Sequence, residues 1–168
     1  MRLFCMQHGA CLSKELDPNQ PLSPVGRDMV RKSAAALRAL GLDFEAILSS
    51  PKERARQTAA IVARAVDYPE HSIRVTEAVK AMATPDETVE FLRDYRNAGR
   101  IFLAGHLPHL NKLACRLLGA DKEPDLGVEQ AGLLCLETDL GPKPGRLICV
   151  LPATLLHSLA SGRDDESI

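Results

Sequence analysis

Short apolar runs alternate along the chain with stretches whose apolar residues recur at helical spacing. Arg2–Met6 reads as a buried strand, followed by a polar loop through Gln20. Ser23-Pro24 then opens a helix, since Ser can cap and Pro is pre-organised for a first helical position. Val30, Ala34 and Leu37 share one face of that helix, with Met29, Ala36 and Leu40 beside them and Gly41 as the stop. Ala46–Ser49 predicts the second strand. Ser50-Pro51-Lys52-Glu53 has the form of a capping box, and the helix it starts should run to about Val66 with Ala55, Ala59, Val62 and Val66 on one face.

The pattern repeats downstream. Ile73–Thr76 reads as a short strand, and Thr84-Pro85-Asp86-Glu87 is a second capping box whose helix reaches about Tyr95. Arg100–Ala104 is a fourth strand. Leu110, Leu113, Ala114, Leu117 and Leu118 then form a helical stripe closed by Gly119. Leu133–Glu137 and Leu147–Leu151 read as two strands joined by the turn-rich stretch from Gly141 to Gly145. Strands alternating with helices predict an α/β fold: a mostly parallel sheet flanked by helices on both faces. One domain is expected over 1–160, with a polar tail over 161–168.

Composition narrows the function classes. The chain has 168 residues, 45% of them apolar, and a formal net charge of -1. That is enough for one self-sufficient core. Near-neutral, interspersed charge and the absence of Trp argue against nucleic acid or an anionic membrane surface as partner. The apolar run Leu3–Met6 is too short for a signal peptide or a membrane span, so a cytoplasmic protein is expected. The five cysteines have no C-x-x-C spacing and read as free thiols of a reducing compartment.

In parallel sheets ligands gather beyond the carboxyl ends of the strands. Here those ends carry Gln7-His8-Gly9, then Ser49-Ser50 with Arg54 in the helix that follows, then Gly105-His106. Each part suits a phosphoryl group. A helix N-terminus binds anions, a guanidinium grips two oxygens at once, and a neutral imidazole can attack phosphorus. His8 is the candidate nucleophile, Arg54 the clamp and His106 a donor to transition-state charge. Gly9 should let the backbone approach the ligand. No Gly-rich phosphate loop with Lys is present.

Gln7-His8-Gly9 resembles the Arg-His-Gly signature of the histidine phosphatase superfamily, the phosphoglycerate-mutase-like proteins. Leu22-Ser23-Pro24-Val25-Gly26 resembles that family's helix entry, and Ser50 to Ala59 resembles its S-P-x-x-R-A-x-Q-T-A segment. His106-Leu107-Pro108 is similar to the S-H-L-P form of the short branch, and order and length look like the SixA-type phosphohistidine phosphatases. The resemblance implies His8 as nucleophile, Arg54 and His106 as phosphate ligands, no metal or other cofactor, and a ping-pong mechanism. It implies a phosphorylated protein or a small phosphoester as substrate. Gln7 replaces the family's first arginine, and Gln20 stands where some SixA-like proteins carry a basic residue. A slowed phosphatase is therefore expected, with a phospho-ligand binding module as the alternative. With no segment large enough for a lid, an open site is expected.

Three other readings are weighed on the residues. Cys5, His8 and Cys11 with His106 and His109 have ligand types suited to zinc, but an extended chain points Cys5 and His8 to opposite faces. Glu77 reads as a solvated loop carboxylate rather than a proton donor. His71, His109 and His157 read as surface or helix-end residues.

Overall fold

The computed structural model describes residues 1–121 and 125–161; the expected polar tail, beyond its first residue, lies outside them. The elements are β1 (Arg2–Gln7), α1 (Pro24–Ala39), β2 (Ala46–Ser49), α2 (Glu53–Ala65), β3 (Arg74–Val75), α3 (Pro85–Leu92), β4 (Arg100–Gly105), α4 (His109–Leu118), β5 (Leu133–Glu137), β6 (Arg146–Leu151) and α5 (Ala153–Ser161). They build a six-stranded sheet in the order β3-β2-β4-β1-β5-β6. The first four strands of that order are parallel. β5 runs antiparallel to β1, and β6 antiparallel to β5. The expected mostly parallel α/β sheet is thus present, with an antiparallel pair at one side.

Continuous apolar runs form the central strands because both sheet faces are covered. Alternation along the pleat sends Phe4 and Met6 to one face and Leu3 and Cys5 to the other. On the first face they meet Val30, Ala34 and Leu37 of α1, Ala59 and Val62 of α2, and Leu156 of α5. On the second they meet Leu92 of α3 and Leu110, Leu113 and Leu117 of α4. The helices therefore lie on both faces, as the alternating pattern requires.

The caps divide into those that form as expected and one that does not. Ser23 Oγ accepts from Gly26 N at 3.0 Å, and Thr84 and Glu87 close a complete capping box. Such a cap stabilises its helix by about 1 kcal/mol. The box expected at Ser50 is absent. α2 starts at Glu53, its N-cap is Lys52 without a side-chain bond, and Ser50 turns inward instead. Its hydroxyl meets the buried imidazole of His106 at 2.8 Å and takes only a long 3.4 Å bond from Lys52 N.

The helix α5 has no counterpart in the sequence expectation. Ala153, Leu156 and Ala160 nonetheless share a helical face that packs on the first core, and Pro152 O receives the first helical bonds from Leu155 N and Leu156 N. Its His157 is half-buried: Nε2 donates to Met29 O at 3.1 Å and lies 3.3 Å from Ser33 Oγ, fastening α5 to α1. His109 does stand at a helix end, the first residue of α4, but not at the surface. It is fully buried, with Nδ1 donating to Ala83 O and Nε2 3.0 Å from Thr88 Oγ1, which pins the turn before α3 onto α4.

Candidate active site

The ends of β2, β4 and β1 lie side by side. His8 N donates to Gly105 O at 3.1 Å, and Ser50 N donates to Ala104 O at 3.1 Å. Parallel register thus delivers His8, Ser50 and His106 to one sheet edge. The two imidazoles meet edge to face, with ring centroids 5.0 Å apart and planes at 62°. His8 is 8% exposed and His106 2%, so the rings are sheltered while the edge itself remains open to Arg54.

His8 has one defined role for each nitrogen. Nδ1 sits 2.7 Å from Gly9 O, and a carbonyl can only accept, so Nδ1 carries the proton. Nε2 is then the free base. It accepts from Arg54 Nε at 3.0 Å. Burial, the largest cause, lowers the His8 pKa, and the Arg54 charge lowers it further against the opposing bond to Gly9. The ring is held neutral with its lone pair beside a fixed guanidinium.

His106 is set differently. Its Nε2 lies 2.8 Å from Ser50 Oγ, and Ser50 Oγ accepts from Lys52 N at 3.4 Å, leaving the hydroxyl proton free for the imidazole. With the hydroxyl donating to Nε2, the ring proton would stand on Nδ1, which is buried without a hydrogen-bond partner among the described residues. Burial first, then His8, Arg54, Lys52 and His109, push its pKa down to about 3. A buried donor left unpaired costs roughly 1–3 kcal/mol. It is the natural contact for an oxygen of an arriving phosphoryl group.

Arg54 is aimed by its own helix. It follows Lys52 by one half-turn, bonds His8 through Nε, and reaches Gln20 Oε1 through a terminal nitrogen at 3.4 Å. Gln57 and Thr58, one turn on, hold the surrounding loops. Gln57 Oε1 accepts from Leu22 N at 2.9 Å, and Thr58 Oγ1 accepts from Gly9 N at 3.4 Å. The S-P-x-x-R-A-x-Q-T-A stretch therefore supplies the guanidinium beside His8 and two braces. Those two braces are what residue-type reasoning leaves unassigned; the signal is their place in the same segment as Arg54.

Gly9 is packed closely: a Cβ there would stand 2.6 Å from Gly26 O and 2.7 Å from Val30 Cγ2, so the loop after His8 lies directly on α1. The Gln7 carboxamide makes no hydrogen bond among the described residues, although Gln7 O accepts from Ala131 N at 2.9 Å. Glu77 is 72% exposed in its side chain and pairs with Lys80. For the zinc alternative, Cys5 is buried in the core, and no three metal-ligating side chains gather among the described residues. No helix there is long and apolar enough to cross a membrane.

The comparisons with known proteins agree with this geometry. A family model described as "Histidine phosphatase superfamily (branch 1)" matches residues 6–84, which include His8 and Arg54. An uncharacterised protein of Picosynechococcus is 29% identical over 143 residues, covering 82% of this chain and 86% of its own. The protein histidine phosphatase SixA, solved with tungstate, shares the fold at a TM-score of 0.81 and 23% identity, over 92% of this chain and 98% of its own. A phosphoserine phosphatase of Entamoeba histolytica, solved with phosphoserine, superposes at a TM-score of 0.69 and 15% identity, over 92% and 98% respectively.

Proposed function

We propose that this chain, whose residues 6–84 match the model of the histidine phosphatase superfamily, is a member of that superfamily and removes phosphoryl groups by way of a phosphohistidine formed on His8. One observation carries the reading. The His8 ring is locked by Gly9 O so that its unprotonated Nε2 faces the Arg54 guanidinium at 3.0 Å. A nucleophile and a cation able to hold phosphoryl oxygens thus share one point. Nε2 attacks phosphorus and the leaving group departs with its electron pair; water then takes the phosphoryl from Nε2 and regenerates the neutral ring. Arg54 and the Nδ1–H of His106 stabilise the charge on the equatorial oxygens in both steps. Gln7, lying beside them at the end of β1, adds at most a neutral amide donor.

The substrate proposed is a phosphohistidine-bearing protein, with small phosphoesters as the other class. Support comes from the likeness of fold to SixA. The neutral Gln7 favours a second reading, a phospho-ligand binder that turns over slowly or not at all. Brief exposure to labelled substrate distinguishes them. An acid-labile, alkali-stable adduct on His8, missing in His8→Ala, is the expected result. Label on a serine, or full turnover by His8→Ala, overturns the mechanism; binding with neither adduct nor turnover selects the binder.

A further inference from the structure

A cleft of about 730 Å³ opens beside the nucleophile and has Arg54 as a shared wall. The loop carrying Asp17 and Gln20 forms one side, the start of α2 forms another, and Arg27 of α1 completes it. Its volume exceeds what a phosphoryl group alone occupies and lies in the range of small-molecule sites.

The charges of this cleft do not balance. Arg27, Lys52, Arg54 and Arg56 line it against Asp17 and Glu53. Both carboxylates are already engaged. Asp17 Oδ1 accepts from Asn19 N at 2.8 Å, and Glu53 accepts from Gln57 Nε2 at 2.8 Å and lies 3.6 Å from Arg56. Arg27 and Lys52 form no ion pair among the described residues, and Arg54 meets only the neutral acceptors His8 and Gln20. This uncompensated positive charge sits on a chain whose formal net charge is -1. The rim is also stiff. Pro18, Pro21 and Pro51 fix the backbone around it, and Gln20 is held at φ 49°, so little ordering cost falls on a ligand.

We propose that this cleft is a subsite for a second negatively charged group, carboxylate or phosphate, on the leaving-group side of the substrate, with Arg27 as its principal contact. The inference rests on the phosphoryl-transfer reading of His8 and deepens it. Arg54 and Lys52 serve the scissile phosphoryl group. Arg27, on a different element and outside the fields that set the His8 and His106 pKa values, serves the group beyond it. Substrates with a second anion are then selected over neutral ones of the same size.

The test uses the full chain and two matched pairs of compounds. One pair is phosphoglycolate and ethyl phosphate; the other is a phosphohistidine peptide flanked by Glu and the same peptide flanked by Gln. Each is measured by kcat/KM and, independently of turnover, by calorimetric Kd. The anionic member of at least one pair should be favoured by about tenfold, the share of one charge-assisted contact. Arg27→Gln should abolish that preference, Arg27→Glu should reverse it, and added salt should weaken it. Arg31→Gln, an exposed cation of the same helix outside the cleft, should leave it intact. A preference in the peptide pair alone assigns an acidic protein segment as occupant, and one in the small pair alone a metabolite. Equal binding within both pairs, or a preference that survives Arg27→Gln, overturns the subsite. Absence of turnover with the binding preference intact sinks the phosphatase reading and leaves the subsite standing.

Discussion

Ser50 Oγ lies 2.8 Å from Nε2 of His106, and both side chains are sealed from solvent. With Nε2 accepting from the hydroxyl, the ring proton would stand on Nδ1, placed for a hydrogen bond to a phosphoryl oxygen. Ser50 is thus a positioning residue that acts through His106. Ser50→Ala should lower kcat by about ten- to a hundredfold, the usual scale for loosening one preorganised transition-state donor, with little change in KM. Ser50→Thr keeps the hydroxyl and should recover most of the rate. A rise in KM alone, or no rescue by Thr, would show that Ser50 only fills space.

Both imidazoles are held neutral by burial, and this fixes the sign of the pH response. Their folded pKa values lie below the usual value near 6.5, that of His106 at about 3. Between those limits the unfolded chain binds protons that the folded chain does not. Stability is therefore complete above about pH 6.5 and falls as the pH drops toward 3, each ring adding a slope of up to about 1.4 kcal/mol per unit. Urea midpoints measured across that range check the direction. The His8 titration, followed by NMR, should move upward in Arg54→Gln, because removing a neighbouring cation relieves the imidazolium. A downward move would show that Arg54 does not sit against the ring in solution.

The loop that follows His8 is seated on α1 by two glycines. A Cβ on Gly26 would stand 1.8 Å from Ala10 O, and one on Gly9 would stand 2.6 Å from Gly26 O. Both obstacles are backbone and cannot swing aside. Gly26→Ala should cost about 3 kcal/mol or more, beyond the usual overpacking range, and Gly9→Ala somewhat less. Gly41→Ala meets nothing within 4 Å and has only its φ of 67° against it, so about 1 kcal/mol is expected there. Thermal or urea unfolding of the three variants tests the order.

How far the sequence discloses this molecule follows from what each signal depends on. β2 and β5 have the expected limits, Ala46–Ser49 and Leu133–Glu137, because strands buried on both faces are apolar throughout. His8, Arg54 and His106 converge as expected, because parallel strand ends must share an edge. Ser50 was misassigned for a reason no local pattern contains: its partner is 56 positions away in sequence. The buried His109 and the half-buried His157 likewise take backbone carbonyls 26 and 128 positions away, which no local pattern contains. Local rules place helix ends well when the cap's only suitor is its own helix, as at Thr84. They fail when a distant buried group competes.

Gln7 is the position where chemistry and family pattern part. At the end of β1 it pairs in register with Gly105, one residue before His8, yet its carboxamide has no partner among the described residues. Of two lysines that could replace the missing charge, Lys80 is paired with Glu77. Lys52 forms no ion pair among the described residues, lines the cleft with Arg54, and lies close enough to lower the pKa of His106. Lys52 is therefore the expected substitute. A point charge gives less than a bidentate guanidinium, which fixes geometry as well as charge. Gln7→Arg should raise kcat/KM by about tenfold, or about 1.4 kcal/mol. Lys52→Met should lower it by a similar factor. The gain from Gln7→Arg should be larger in the Lys52→Met background, because the new arginine no longer meets a like charge; a double-mutant cycle measures that coupling. If Gln7→Arg gains nothing in either background, the clamp is already complete and Gln7 is no impairment. If the gain is the same in both, Lys52 does not stand in for the arginine, and the missing charge is carried by another group or by none.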